Sequence, residues 1–393
     1  MKGLLFFIGI LVLILAEVFK VYFIMPFPGS QQSNTVDLAY FLHTNIQWIR
    51  VVGILMIAYP VFHIFREGRR WAKITITLAA VVYLVVYYFV NFEFLADKMF
   101  LQPEHKVFAS SATNEVPSGN LVVGVFINGE AKAYPIQYIG YHHQVRDSVG
   151  GKPVMVTYCT VCRTGRVFSP MVKGNAETFR LVGMDHFNAM FEDASTGSWW
   201  RQVNGEAVTG PLKGESLEEI PAEQMRLDAW IGQYPNTLIM QPDTSFSDQY
   251  YYMRKYDSGK GQGELTRTDS LSWKEKSWVV GVQIGASSRA YDWHDLVANR
   301  VLNDTLAKTP IVVALANDSV TFHVWKRDTL LFEFDKAASV MRDRQTKSTW
   351  NDLGYCTDGP LKGTRLPVVQ SYQEFWHSWR TFRPGTTRFL TAN

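Results

Sequence analysis

The chain has 393 residues, of which 47% are hydrophobic and 14% aromatic, enough for more than one folded unit with a buried core. A formal net charge of +3 is close to balance and removes any global electrostatic case for nucleic acid. Cysteine is scarce, 3 in all, and two of the three stand in one Cys-x-x-Cys.

Three apolar stretches open the chain, at 4–24, 46–65 and 74–92. Each is near the ~20 residues a helix needs to cross a bilayer, so residues 1–92 read as a transmembrane anchor. Arg66, Arg69, Arg70 and Lys73 lie between the second and third stretches, whereas the loop 26–45 has no Lys or Arg. The positive-inside rule therefore puts the N-terminus in the cytoplasm and everything after the third span outside it. A cleaved signal peptide fits the first stretch less well, because its apolar run is long and no small-x-small site follows. Glu17 and Lys20 read as a local ion pair with Lys20 reaching toward the surface, and Arg50 as a side chain that snorkels outward.

Residues 93–120 read as a linker, and beyond them the sequence repeats itself. Gly124, Ala133, Tyr134, Asp147 and Pro153 fall at a constant offset on Gly281, Ala290, Tyr291, Asp304 and Pro310. Asp193, Thr196, Ser198 and Trp200 are echoed by Asp343, Thr346, Ser348 and Trp350, and TGPLKG at Thr209 returns as DGPLKG at Asp358. The reading is a first repeat at 121–245, a connector at 246–277 and a second repeat at 278–393. Alternating β-branched runs predict strands in both copies, with a short helix near Ile136. The expected class is α+β, dominated by strands: three N-terminal transmembrane helices followed by an extracytoplasmic region of two homologous repeats.

The repeat supplies an internal control for the thiols. Cys159 and Cys162 fall on Ala316 and Ser319, in a segment that reads as strand, Asn-Asp turn, strand, so the Cys-x-x-Cys is expected in a hairpin turn. A thioredoxin-type pair would sit at a helix N-terminus, and no helix follows here. A turn that aims two sulfurs at one point resembles one knuckle of a metal site. His142 and His143 fall on Asn299 and Arg300, so the copy without the thiols also lacks both imidazoles. Met184, His186 and Met190 are further ligand candidates; mixed thiolate, imidazole and thioether donors favour copper, and two Cys with two His suit zinc equally. Arg163 rather than His follows Cys162, against covalent haem. A local disulfide and thiol exchange remain open for the same pair. Cys356 lies opposite Ala207 and reads as a buried small hydrophobe, while Trp200 and Asp193 recur in both copies and read as architecture.

The blocks Ala133-Tyr134-Pro135, Tyr141-His142-His143 with Asp147, Val156 through Thr164, Asp193 through Gln202, and Gly210 through Gly214 resemble the bacterial family catalogued as domain of unknown function 3179. Two positions depart from its pattern: His143 stands where that family has an acidic residue, and Arg163 where it has glycine. The resemblance implies a fold but no activity; the spans and their charge asymmetry, in a chain resembling a bacterial family, give the expected setting as the inner membrane with the C-terminal region in the periplasm. The expected function is metal holding, delivery or electron transfer by a membrane-anchored protein. Its ligands would be Cys159, Cys162 and His142, completed by His143, His186 or Met184, on copper before zinc. Thiol-disulfide exchange and a purely structural module docking a membrane-protein partner are the alternatives.

Overall fold

The computed structural model describes residues 2–261 and 263–391. Two compact units emerge, one made of Met1–Leu101 with Glu177–Ser216, the other of Gln102–Ala176 with Leu217–Asn393.

The first unit holds three helices long and apolar enough to cross a membrane: α1 (Lys2–Tyr22), α2 (Val36–Glu67) and α3 (Arg70–Tyr88), the last prolonged by a π-helical turn, Phe89–Glu93. Glycine lets α1 and α2 approach closely, since a Cβ on Gly9 would meet Ile57 at 2.6 Å and one on Gly53 would meet Leu13 at 2.6 Å. The helix α2 begins at Val36, well before the apolar stretch at 46–65, because its first turns are amphipathic and not fully apolar. Val36, Ala39 and Tyr40 pack there on Val182, Met190 and Trp199 of a four-stranded sheet (179–185, 188–193, 199–201, 207–209).

Among the polar residues of the spans, Glu17 and Lys20 form the expected local pair at 3.5 Å, and Arg50 departs from expectation. Arg50 does not snorkel: its Nε and Nη2 donate to the two oxygens of Glu17 at 2.6 and 3.0 Å. Asn91 donates to Glu17 Oε2 at 3.0 Å and accepts from Lys20 Nζ at 2.6 Å. In a low-dielectric setting a bidentate partner stabilises a carboxylate more than a distant surface does, so the three helices are joined at one charged knot.

In the second unit the chain passes twice through one order of elements. A hairpin (Leu121–Ile127, Glu130–Pro135), a short helix (Ile136–His142) and three antiparallel strands (Gln144–Val149, Lys152–Cys159, Thr164–Phe168) are followed later by Trp278–Ile284, Ser287–Asp292, the helix Trp293–Asn299, Val301–Leu306, Thr309–Leu315 and Phe322–Lys326. Registers match as well: Val122 pairs Pro135 where Val279 pairs Asp292, and Val145 pairs Val156 where Leu302 pairs Val313. Each hairpin gains a return strand, Glu223–Arg226 or Ser371–Phe375, which leads into a helix, Leu227–Gln233 or Trp376–Phe382. Period-two alternation divides the first hairpin between two cores. Leu121, Val123 and Val125 face the three-stranded sheet, and Val122 faces Met225, Leu227 and Trp230. The segment expected to be a linker contributes a strand, Phe108–Ser110, paired with Leu238–Met240. The connector carries a helix, Ser247–Met253.

Candidate functional site

Cys159 ends the strand Lys152–Cys159, pairs with Thr164 across the hairpin, and Cys162 lies in the turn between them. Arg163 closes that turn in the left-handed region at φ 55°, where the family pattern's glycine would meet no Cβ penalty. Its guanidinium offsets the strain by donating to Gln373 Oε1 at 3.1 Å and to the carbonyls of Tyr256 and Asp257 at 3.0 and 2.7 Å, over the ring of Trp278.

The turn is held almost entirely by residues distant in sequence. Tyr256 donates its hydroxyl to Thr160 O at 2.8 Å. Lys276 Nζ and His377 Nε2 reach Val161 O at 2.9 and 3.0 Å, and the backbone N–H of Phe375 donates to Cys162 O at 2.8 Å. These donors satisfy three consecutive turn carbonyls that no strand partner could reach.

Both thiols are fully buried, and neither is in a disulfide. They are hydrogen-bonded to each other, and Cys162 is also bonded to Ser378. Burial pushes the Cys162 thiol well above the ordinary range, with its contact to Cys159 acting in the same direction and Ser378 opposing, so Cys162 keeps its proton. Ser378 donates to Glu374 Oε1 at 2.6 Å, and Arg166 Nη2 donates to Glu374 Oε2 at 2.9 Å, all three side chains buried. A polar chain thus runs from Arg166 through Glu374 and Ser378 to the sulfurs. Lys276 is a further cation at the turn; burial draws its pKa down while both sulfurs favour its charged form.

The imidazoles lie at the same end of the sheet. His143 caps the helix Ile136–His142 at φ 60°, accepts the N–H of Tyr158 at its carbonyl, and bonds Tyr158 O through Nδ1 at 3.0 Å. That clips it to the residue preceding Cys159, and burial lowers its pKa to about 4. The His142 ring is turned to Tyr250, with Nε2 2.6 Å from the hydroxyl, and packs edge-on against Phe246. Met184 and His186 belong to the first unit. Met184 pairs with Ala189, and His186 Nδ1 contacts Asp185 Oδ1 at 2.6 Å in a hairpin tip where His186 and Phe187 both have positive φ. Among the described residues no group of three or more His, Cys, Asp or Glu is arranged to hold a metal ion. Copper or zinc at these thiols therefore rests on the sequence pattern alone.

Glu374, His377, Ser378 and Lys276 were not singled out from sequence. The same internal control would have found three of them, because Glu374, His377 and Ser378 fall on Met225, Asp228 and Ala229 of the first copy. Elsewhere, Trp200 Nε1 donates to Asp193 Oδ2 at 2.8 Å and Trp350 Nε1 to Asp343 Oδ2 at 3.1 Å, with Thr196 and Thr346 on the same carboxylates. This is architecture shared by both copies. Cys356 is buried and donates to Asp358 O at 3.3 Å.

The family model described as "Protein of unknown function (DUF3179)" matches residues 102–386. The chain belongs to that family. No curated protein and no solved structure matches it. The DUF3179 match begins after the helices and covers both passes through the repeated order of elements, the thiol turn and the residues that hold it.

Proposed function

We propose that this chain is a membrane-anchored, extracytoplasmic thiol-disulfide protein whose working pair is Cys159 and Cys162. One observation carries the reading: two fully buried sulfurs in contact with each other, with the Lys276 ammonium held on the Val161 carbonyl in the turn between them. Cys162 would share its proton with the Cys159 sulfur, and Lys276 would oppose the negative charge that forms there, so Cys159 is the thiol that ionises. The Cys159 thiolate attacks a disulfide of a partner protein, forming a mixed disulfide and releasing one partner thiolate. Cys162, deprotonated in turn, attacks the Cys159 sulfur and releases the second, so two electrons and two protons pass to the partner. Because both sulfurs are covered, exchange requires the helix Trp376–Phe382 and the segment around Tyr256 and Lys276 to open. The arginine-rich loop 66–73 supports an orientation with the N-terminus in the cytoplasm and the thiols outside.

Copper or zinc holding is the second reading, and the pairing of the thiols with His142 and His143 in one copy favours it. Full-length Cys162→Ser protein in native membranes separates the two. Exchange predicts partner proteins captured as adducts that a reductant releases. Absence of adducts, together with metal retained by wild type and lost on Cys159→Ser, would reverse the order of preference.

A further inference from the structure

A cleft of about 340 Å³ in the second unit lies beside the first hairpin, lined by residues outside the thiol turn, and its size suits a small ligand. Gly124 forms part of the floor; a Cβ there would meet the Trp230 ring at 2.3 Å, so the indole lies flush on the strand. A ladder of rings rises from it. Trp230 and Tyr234 have centroids 4.4 Å apart, and Tyr234 stacks on Phe126 at 4.8 Å and 21°. Phe126, the outermost ring, is 48% exposed. Arg365 lines the cleft together with the Glu223 carboxylate, which His323 Nδ1 and Gln233 Nε2 hold at 3.4 and 3.3 Å.

The second copy shows the same backbone positions put to another use. Gln283 stands for Phe126, Arg383 for Tyr234 and Tyr372 for Glu223. There Arg383 lies over Trp379 at 3.9 Å and donates to Gln283 Oε1 at 3.0 Å, while the Tyr372 hydroxyl donates to Glu219 at 2.8 Å. Arg383 and Gln283 thus partner each other, and Tyr372 is taken up by Glu219. Beside the first hairpin, by contrast, a ring ladder and the Glu223 carboxylate from the first copy meet Arg365 from the second around an open cleft.

The geometry points to a saccharide-binding cleft, with Phe126 as the stacking platform and Glu223 and Arg365 as the hydroxyl-reading groups. The charges decide the class. Glu223 disfavours an anionic ligand and Arg365 a cationic one, whereas a neutral polyhydroxy ring can donate to the first, accept from the second and cover an aromatic face with its C–H edges.

The test is calorimetric titration of the full chain in lipid nanodiscs, free of sugar-headed detergent, with chitotriose and with cellotriose. Binding of at least one is expected, weakened about tenfold or more by Phe126→Ala and also reduced by Glu223→Gln, while Phe126→Ala stays folded with only a small fall in melting temperature from the lost stack on Tyr234. Wild type that binds neither sugar at millimolar concentration, or Phe126→Ala that binds as wild type does, overturns the proposal. So does a proline-rich peptide that occupies the cleft when neither sugar does.

Discussion

The reactivity of the Cys159 sulfur is set by few groups, and they can be removed one at a time. Lys276 is held by Val161 O and by Leu265 O at 2.9 and 2.6 Å, so its ammonium has a fixed position beside the pair. In Lys276→Met the thiolate loses a cation that interacts with both sulfurs. Alkylation by iodoacetamide at neutral pH should slow about tenfold, and its pH profile should move up by about one unit. An unchanged profile would show that the lysine serves only the turn carbonyls.

Two other buried groups give the fold a pH dependence of definite sign. Burial lowers His377 to about 3 and His143 to about 4, both below the ordinary imidazole value of ~6.5. An unfolded chain takes up protons that these folded imidazoles refuse, so their contribution is present above ~6.5 and is lost as pH falls below it. Asp257, pushed up to about 6 by burial, acts in the opposite sense, its contribution being lost as pH rises from ~3.9 toward 6. Two imidazoles against one carboxyl leave a net loss on acidification. The melting temperature should fall between about pH 7 and 5, less steeply in His377→Gln; a flat or rising curve would contradict the neutral assignment.

Among the elements, much was legible because the pattern is written twice. The constant offset that aligns Gly124 with Gly281 also aligns their strands, registers and packing. A Cβ on either would meet an indole, Trp230 at 2.3 Å or Trp379 at 2.2 Å. Gly124→Ala and Gly281→Ala should each cost about 1–3 kcal/mol in denaturant unfolding, by the same mechanism. A neutral result at one would mean that its tryptophan can withdraw.

What sequence did not reveal at this scale has a common cause. The strand Phe108–Ser110 and the helix Ser247–Met253 are too short for periodicity to register, and α2 runs past its apolar stretch into turns that pack on strands instead of lipid. The turn Cys159–Cys162 was located correctly within a hairpin. Its surroundings were not, because Phe375 and His377 reach it from more than two hundred residues away, and no local pattern encodes such contacts. His142 ends the short helix expected near Ile136, at the thiol end of the sheet. Only the presence of Tyr250 on another helix determines where its ring points.

At the scale of the molecule, each unit is tied by charge as well as by packing. Glu17, Arg50, Lys20 and Asn91 join three helices in the first. In the second, Arg166 and Glu374 link a strand of the first copy to the return strand of the other, and Gln224 donates to Gln373, its own counterpart, at 2.9 Å. The second copy lacks the thiols but provides Glu374, His377 and Ser378 for the turn that has them. A division of labour between the copies follows, in which one carries the sulfurs and the other covers them.

The most direct test is a redox titration of full-length protein in membranes, equilibrated in glutathione buffers, acid-quenched and read by mass spectrometry. A working pair predicts that Cys159 and Cys162 lose their thiols together in a single two-electron transition, forming one intramolecular disulfide while Cys356 stays reduced. A pair that remains dithiol across the whole range, or that takes up glutathione separately on each sulfur without closing, would contradict it.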